Sequence, residues 1–158
     1  TAGLLGADKW DEIVANTTHT ASTHAPVGAI ENISEDLSPE LGGELDCGAH
    51  SIGFTKQAET GSVGDHTIDW KLGNKYEYTF SLAAETFIFT DPSKPCNLLL
   101  LIKQDAAQGS KTATFPASVQ WAGGGTAPTL STAINAVDII SFYFDGTNYY
   151  GTASLDFS

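Results

Sequence analysis

The chain predicts an all-β fold, an antiparallel β-sandwich or jelly-roll-like module, and three observations carry that prediction. Aromatic and β-branched residues alternate with polar ones in short runs between Lys75 and Ser154. Clusters of turn-forming residues separate the runs at roughly ten-residue spacing, the signature of sandwiches and barrels. The first half of the chain has neither feature. The 158 residues therefore divide into an extended N-terminal attachment and oligomerisation arm, 1–69, and a β module, 70–158.

The arm opens with Ala7–Asn16, a short predicted helix capped by Asp8, with Trp10, Ile13 and Val14 on one side. Thr17–Gly28 is a Thr, Ser, Ala and His tract without periodicity and reads as a linker. From Ala29 onward, Ile30, Ile33 and Leu37 have helical spacing, Pro39, Gly42 and Gly43 end the run, and Leu41 and Leu45 follow singly. So sparse an apolar set cannot close a core within one chain. Ile30, Ile33, Leu37, Leu41 and Leu45 are accordingly expected to form an oligomer interface, meeting symmetry copies or another protein.

In the module, Tyr76, Tyr78, Phe80 and Leu82 fall on one side of their strand and Lys75, Glu77, Thr79 and Ser81 on the other. A second run, Glu85–Thr90, follows. Cys96–Asp105 and Ala136–Phe144 are apolar on both sides, which predicts strands that are either central or facing a partner. These two and the Tyr76 strand are the expected core. Lys111–Phe115 ends at Pro116, and Gly123–Gly125 turn the chain. Asp145 and Gly146, between two aromatic strands, predict a hairpin into Asn148–Ser154, because glycine adopts a positive φ without steric cost.

The formal charge of −12 is uneven: residues 1–69 hold 12 acids and 2 lysines, and 70–158 hold 7 and 5. There is no arginine, so bidentate phosphate and base recognition lacks its usual residue and nucleic acid is not an expected partner. No stretch of 18 apolar residues occurs, and no basic-then-apolar amino end, so no membrane insertion is expected. Two cysteines, Cys47 and Cys96, allow at most one bridge, and pairing between them stays open.

Catalytic patterns are missing. The histidines, 19, 24, 50 and 66, fall in the arm rather than the ordered module, and no GxSxG or HExxH occurs. No metal site or cofactor is expected. Asp65, Asp69, Glu77 and Glu85 flank strands and read as their solvated sides. Trp121, Tyr149 and Tyr150 are the candidate binding residues, as glycan-stacking or interface contacts. Tyr149 and Tyr150 are consecutive, so one should be exposed.

Two segments carry a resemblance. Ser38–Phe54 (SPELGGELDCGAHSIGF) resembles the SPxLGGxLDxxGxxI segment of bacteriophage tail fibres and related virion proteins. Leu98–Gly151 is similar to a β module recurring at the carboxyl end of phage tail and fibre proteins. Cys47 departs from the pattern, where an apolar residue or Asn is commoner. The resemblance implies a non-enzymatic virion structural protein on the surface of capsid or tail: a fibre, a spike, a head fibre or a capsid decoration. It would be a homo-oligomer, expected as a trimer, in contact with other virion proteins. A lectin-like module binding a host surface glycan is the alternative. Like charges in the arm should repel, so self-association through it is expected to strengthen as salt rises.

Overall fold

The computed structural model describes residues 46–61, 64–81 and 84–157. The expected helix at 7–16, the linker and the apolar residues Ile30, Ile33, Leu37, Leu41 and Leu45 lie outside these residues. Asp46–His50 form a turn in which Asp46 Oδ1 accepts a hydrogen bond from the Gly48 amide at 2.7 Å.

All the described strands belong to one compact unit, Ser51–Ser158. They are β1 (Gln57–Thr60), β2 (His66–Asp69), β3 (Lys75–Thr79), β4 (Ala84–Thr90) and β5 (Cys96–Lys103), then β6 (Thr112–Thr114), β7 (Val119–Trp121), β8 (Val137–Phe144) and β9 (Tyr149–Phe157). The helical geometry among the described residues is one 3-10 turn, Trp70–Leu72, whose first amides Asp69 receives through a bond from Lys71 N at 2.9 Å. The fold is all-β. The absence of strand alternation assigned residues 57–69 to the arm, yet they supply β1 and β2, which pair with the module strands.

The strands form a six-stranded sheet, in the order β1-β3-β5-β8-β9-β7, and a three-stranded sheet, β2-β4-β6. Five of the seven pairings are parallel, against the expected antiparallel arrangement. The cause lies in the connections. From β1 to β6 the chain alternates between sheets, so each strand pairs with the one two ahead: Gln57 is opposite Tyr76, Lys75 opposite Leu99, and His66 opposite Phe87. A parallel pair needs a long crossover, and here the intervening strand of the other sheet provides it. Turn-forming segments such as Asp91–Pro95 therefore carry the chain across to the other sheet rather than back alongside the strand before. Residue alternation specifies which side chain points inward, but not which strand lies alongside.

The antiparallel part is β5-β8-β9. The predicted hairpin is present: Asp145 Oδ1 accepts from the amides of Thr147 and Asn148, each at 2.8 Å, and Gly146 has φ 105°. At the other end of this hairpin β9 bulges, with Ile139 opposite Ser154 but Val137 opposite Phe157. Asp138 holds that end together. Its buried carboxylate accepts from Ser131 N (2.8 Å), Ser131 Oγ (2.6 Å) and Asp156 N (3.0 Å).

The core is built largely of rings. Phe87 and Phe89 of β4 meet the large sheet edge-on, Phe87 against Tyr78 (5.0 Å between centroids), and Phe89 against Phe142 (5.5 Å) and Tyr149 (5.1 Å). Such edge-to-face pairs satisfy the ring quadrupoles while excluding water. Tyr76, Tyr78, Ile140, Phe142 and Phe144 are all buried, as alternation predicted.

Candidate functional site

The outward side of the large sheet follows from the same alternation. Because Tyr76 and Tyr78 point in, Lys75, Glu77 and Thr79 point out. Register carries the outward row across to Leu99, Leu101 and Lys103, then Val137, Ile139, Ser141 and Tyr143, and on to Tyr150 and Thr152. Leu99, Leu101, Val137 and Ile139 are half-buried, while Tyr143 and Tyr150 are half exposed. A solvated sheet side normally carries polar residues at such positions. Here aliphatic side chains occupy the centre of the widest sheet, and no described element covers them.

Polar groups sit at the two ends of this strip. On one end, Glu77 accepts from Lys103 Nζ at 2.6 Å and from Lys56 Nζ, and these two bonds hold its carboxyl below the usual range. On the other, the Tyr143 and Tyr150 rings lie nearly parallel, 25° apart with centroids at 6.5 Å. A hydrogen bond to Asp145 pushes the Tyr150 phenol up.

Of the three aromatics singled out in the sequence, Tyr149 and Trp121 lie on the inward side of the large sheet and Tyr150 on the outward side. Tyr149 belongs to the core: it is fully buried, its hydroxyl donates to Asp91 Oδ1 at 2.6 Å, and its ring packs on Phe144 at 4.6 Å. Burial and the Asp91 carboxylate push its pKa up. Tyr150, one residue on, faces outward. Trp121 is half-buried between two open clefts of about 430 and 300 Å3. One is floored by Phe115 and Val119, the other by Gly151 and Leu155. The indole packs on Phe115 at 4.9 Å and lies so close to Gly151 that a Cβ there would fall 2.8 Å from its Cζ3. Gly123, Gly124 and Gly125 all have positive φ and lead the chain away from it.

The titratable residues gather inside, where the sequence did not place them. His66, assigned to the arm by the sequence, lies in β2, with Nε2 2.8 Å from the Tyr76 hydroxyl and 3.6 Å from Glu59. Burial lowers its pKa, opposed by Glu59 and Glu85. The Tyr76 phenol is pushed up to about 12 by burial and by Glu59. Glu85, read as solvated, is buried against the Tyr78 hydroxyl, and its Oε1 makes no well-formed hydrogen bond. Gly61 closes this cluster, since a Cβ there would collide with Tyr78 Oη. The arrangement holds one imidazole, two phenols and the carboxylates of Glu59 and Glu85 together, and the Ser81 hydroxyl donates to the Gly61 carbonyl beside them. Among the described residues no group of three or more His, Cys, Asp or Glu is placed to hold a metal ion. The Cys96 thiol is half-buried at the start of β5, and burial pushes it up.

Sequence reasoning missed the burial of Glu85 and Asp138. Asp138 had a signal, since it falls on the inward parity of β8 between Ala136 and Ile140. Glu85 had a weaker one, sharing parity with Phe87 and Phe89. No family model, curated protein or solved structure matches the chain.

Proposed function

We propose that this chain is a non-enzymatic bacteriophage virion structural protein that self-associates, as a trimer, and is displayed on the particle surface as a fibre, spike, head fibre or capsid decoration. In this reading the two sheets act as a jelly-roll-like sandwich module presented by the N-terminal arm. The observation that carries it is the aliphatic strip of Leu99, Leu101, Val137 and Ile139 on the outward side of the large sheet. Fully burying a large apolar side chain contributes about 1.5–3 kcal/mol, and covering the exposed part of these four half-buried side chains would add a share of that for each. The resemblance of Ser38–Phe54 and Leu98–Gly151 to phage fibre segments supplies the particle.

Two experiments test it. Sedimentation of the full chain should give a trimer, and a concentration-independent monomer would contradict self-association. Gold-labelled antibody against the chain should decorate virions at the capsid or at the tail, and unlabelled particles would contradict a virion role.

A second reading, a glycan-binding module, is favoured by one observation: the exposed Tyr143–Tyr150 pair and the edge of Trp121 offer ring faces to solvent. Glycan-array or whole-cell binding that disappears in Tyr150→Ala or Trp121→Ala would support it. Binding unchanged in both variants would remove these residues as ligands. Tyr149→Ala is not informative about binding, because it removes a core ring.

A further inference from the structure

The polar end of the outward strip has an unusual charge for this protein. Residues 51–158 hold six lysines and ten acids, yet three of the six lysines, Lys56, Lys75 and Lys103, surround this end. Glu77 is the one acid at the outward positions of β1, β3, β5 and β8, so the local balance is two positive charges beside Leu99 and Leu101. A positive patch next to an aliphatic strip selects an occupant that is both acidic and aliphatic.

The chain contains one such segment. Between Ile30 and Leu45 there are five acids from Glu31 to Glu44, five aliphatics from Ile30 to Leu45, and no lysine or arginine. Its apolar residues are too few to form a core, and its charges match those at the end of the strip. We propose that the segment Ile30–Leu45 of one copy docks on the outward side of the large sheet of a neighbouring copy, its aliphatics over Leu99 and Leu101 and its carboxylates toward Lys75 and Lys103. This rests on the self-association proposed above and names the surfaces that carry it. It also reverses the salt dependence expected from the arm's charge alone. Attraction between the acidic segment and the basic end weakens as salt rises, whereas mutual repulsion of arms would relax.

Zero-length carbodiimide coupling of an equal mixture of unlabelled and 15N-labelled full chain, read by mass spectrometry, tests the contact. The expected products join Lys75 or Lys103 to carboxylates from Glu31 to Glu44 in light–heavy pairs, with loss of those pairs in Leu101→Asp. Links found only within one isotope would overturn docking between copies. An oligomer that gives no such links would overturn this inference and leave the proposed function standing. A monomer without links would overturn both. Sedimentation of the same samples separates these outcomes.

Discussion

The two sides of the six-stranded sheet come from the same strands and the same alternation, but they end in different states. Inward, Tyr78, Leu100, Ile102, Ile140, Phe144 and Tyr149 have at most about 1% of their surface exposed, sealed by rings from the small sheet. Outward, Leu99, Leu101, Val137 and Ile139 lie under no described element, and Tyr143 and Tyr150 are half exposed. The difference separates two kinds of energy. Inward contacts maintain the fold of one chain, and in the proposed function the outward side chains are those left for assembly. Substitutions should therefore sort by direction, inward ones lowering folding stability and outward ones weakening association.

The largest effect is expected inward. Phe142 is buried and touches Trp70, Phe89, Phe115, Trp121 and Tyr149. Phe142→Ala should cost about 3–5 kcal/mol through lost burial and the cavity left behind. A urea midpoint close to that of the unmodified chain would break the comparison at its inward side.

Asp138 comes next. Asp138→Ala removes the acceptor for Ser131 and for the Asp156 amide, which sits at φ 63°. The loss should be about 1–3 kcal/mol, and hydrogen exchange should rise first at the β8–β9 end near Phe157. Exchange that rises equally at the Asp145 turn would show that Asp138 does not act locally.

Acid sharpens the comparison with smaller effects in two separate windows. His66 has a folded-state pKa below the ordinary 6.5, so the unfolded chain binds a proton first. Stability should fall as pH drops below about 6.5 and level off once the folded state also protonates. Glu77, on the outward side, has its pKa held below 4.5, so its contribution is present above that value and is lost as pH falls through the lowered one. Its carboxylate is largely covered, but both lysines are 40–52% exposed, so solvent screening keeps the effect small. His66→Gln should abolish the first phase of a stability–pH profile and spare the second.

Much of the inward side was legible in the sequence, because period-two alternation in Lys75–Leu82 and Ala136–Phe144 is a direct consequence of strand geometry. The Asp145–Gly146 hairpin was legible for a local reason: its bonds lie within four residues. The parallel order of β1 to β6 was not. It depends on whether each connection turns back or crosses the core, and Asp91–Pro95 has the composition of either. β1 and β7 carry only four and three residues and lie at the sheet edges, too short for a pattern. Such short edge strands limit unwanted pairing. Among the candidate binding residues, parity showed that Tyr149 and Tyr150 would part, but only packing against Phe89 and Phe144 decided which one entered the core. The outward strip was half legible: Cys96–Asp105 and Ala136–Phe144 read as apolar on both sides, without showing which side stayed open.

Sedimentation equilibrium of the full chain against its Leu101→Asp variant, with a thermal melt of each, tests most directly whether the outward side carries assembly. Leu101 points away from the core, so the variant should stay folded at a cost of about 1 kcal/mol, the span of strand propensity. The unmodified chain should sediment as a trimer and the variant as a folded monomer. A folded Leu101→Asp chain that associates as tightly as the original would contradict the account.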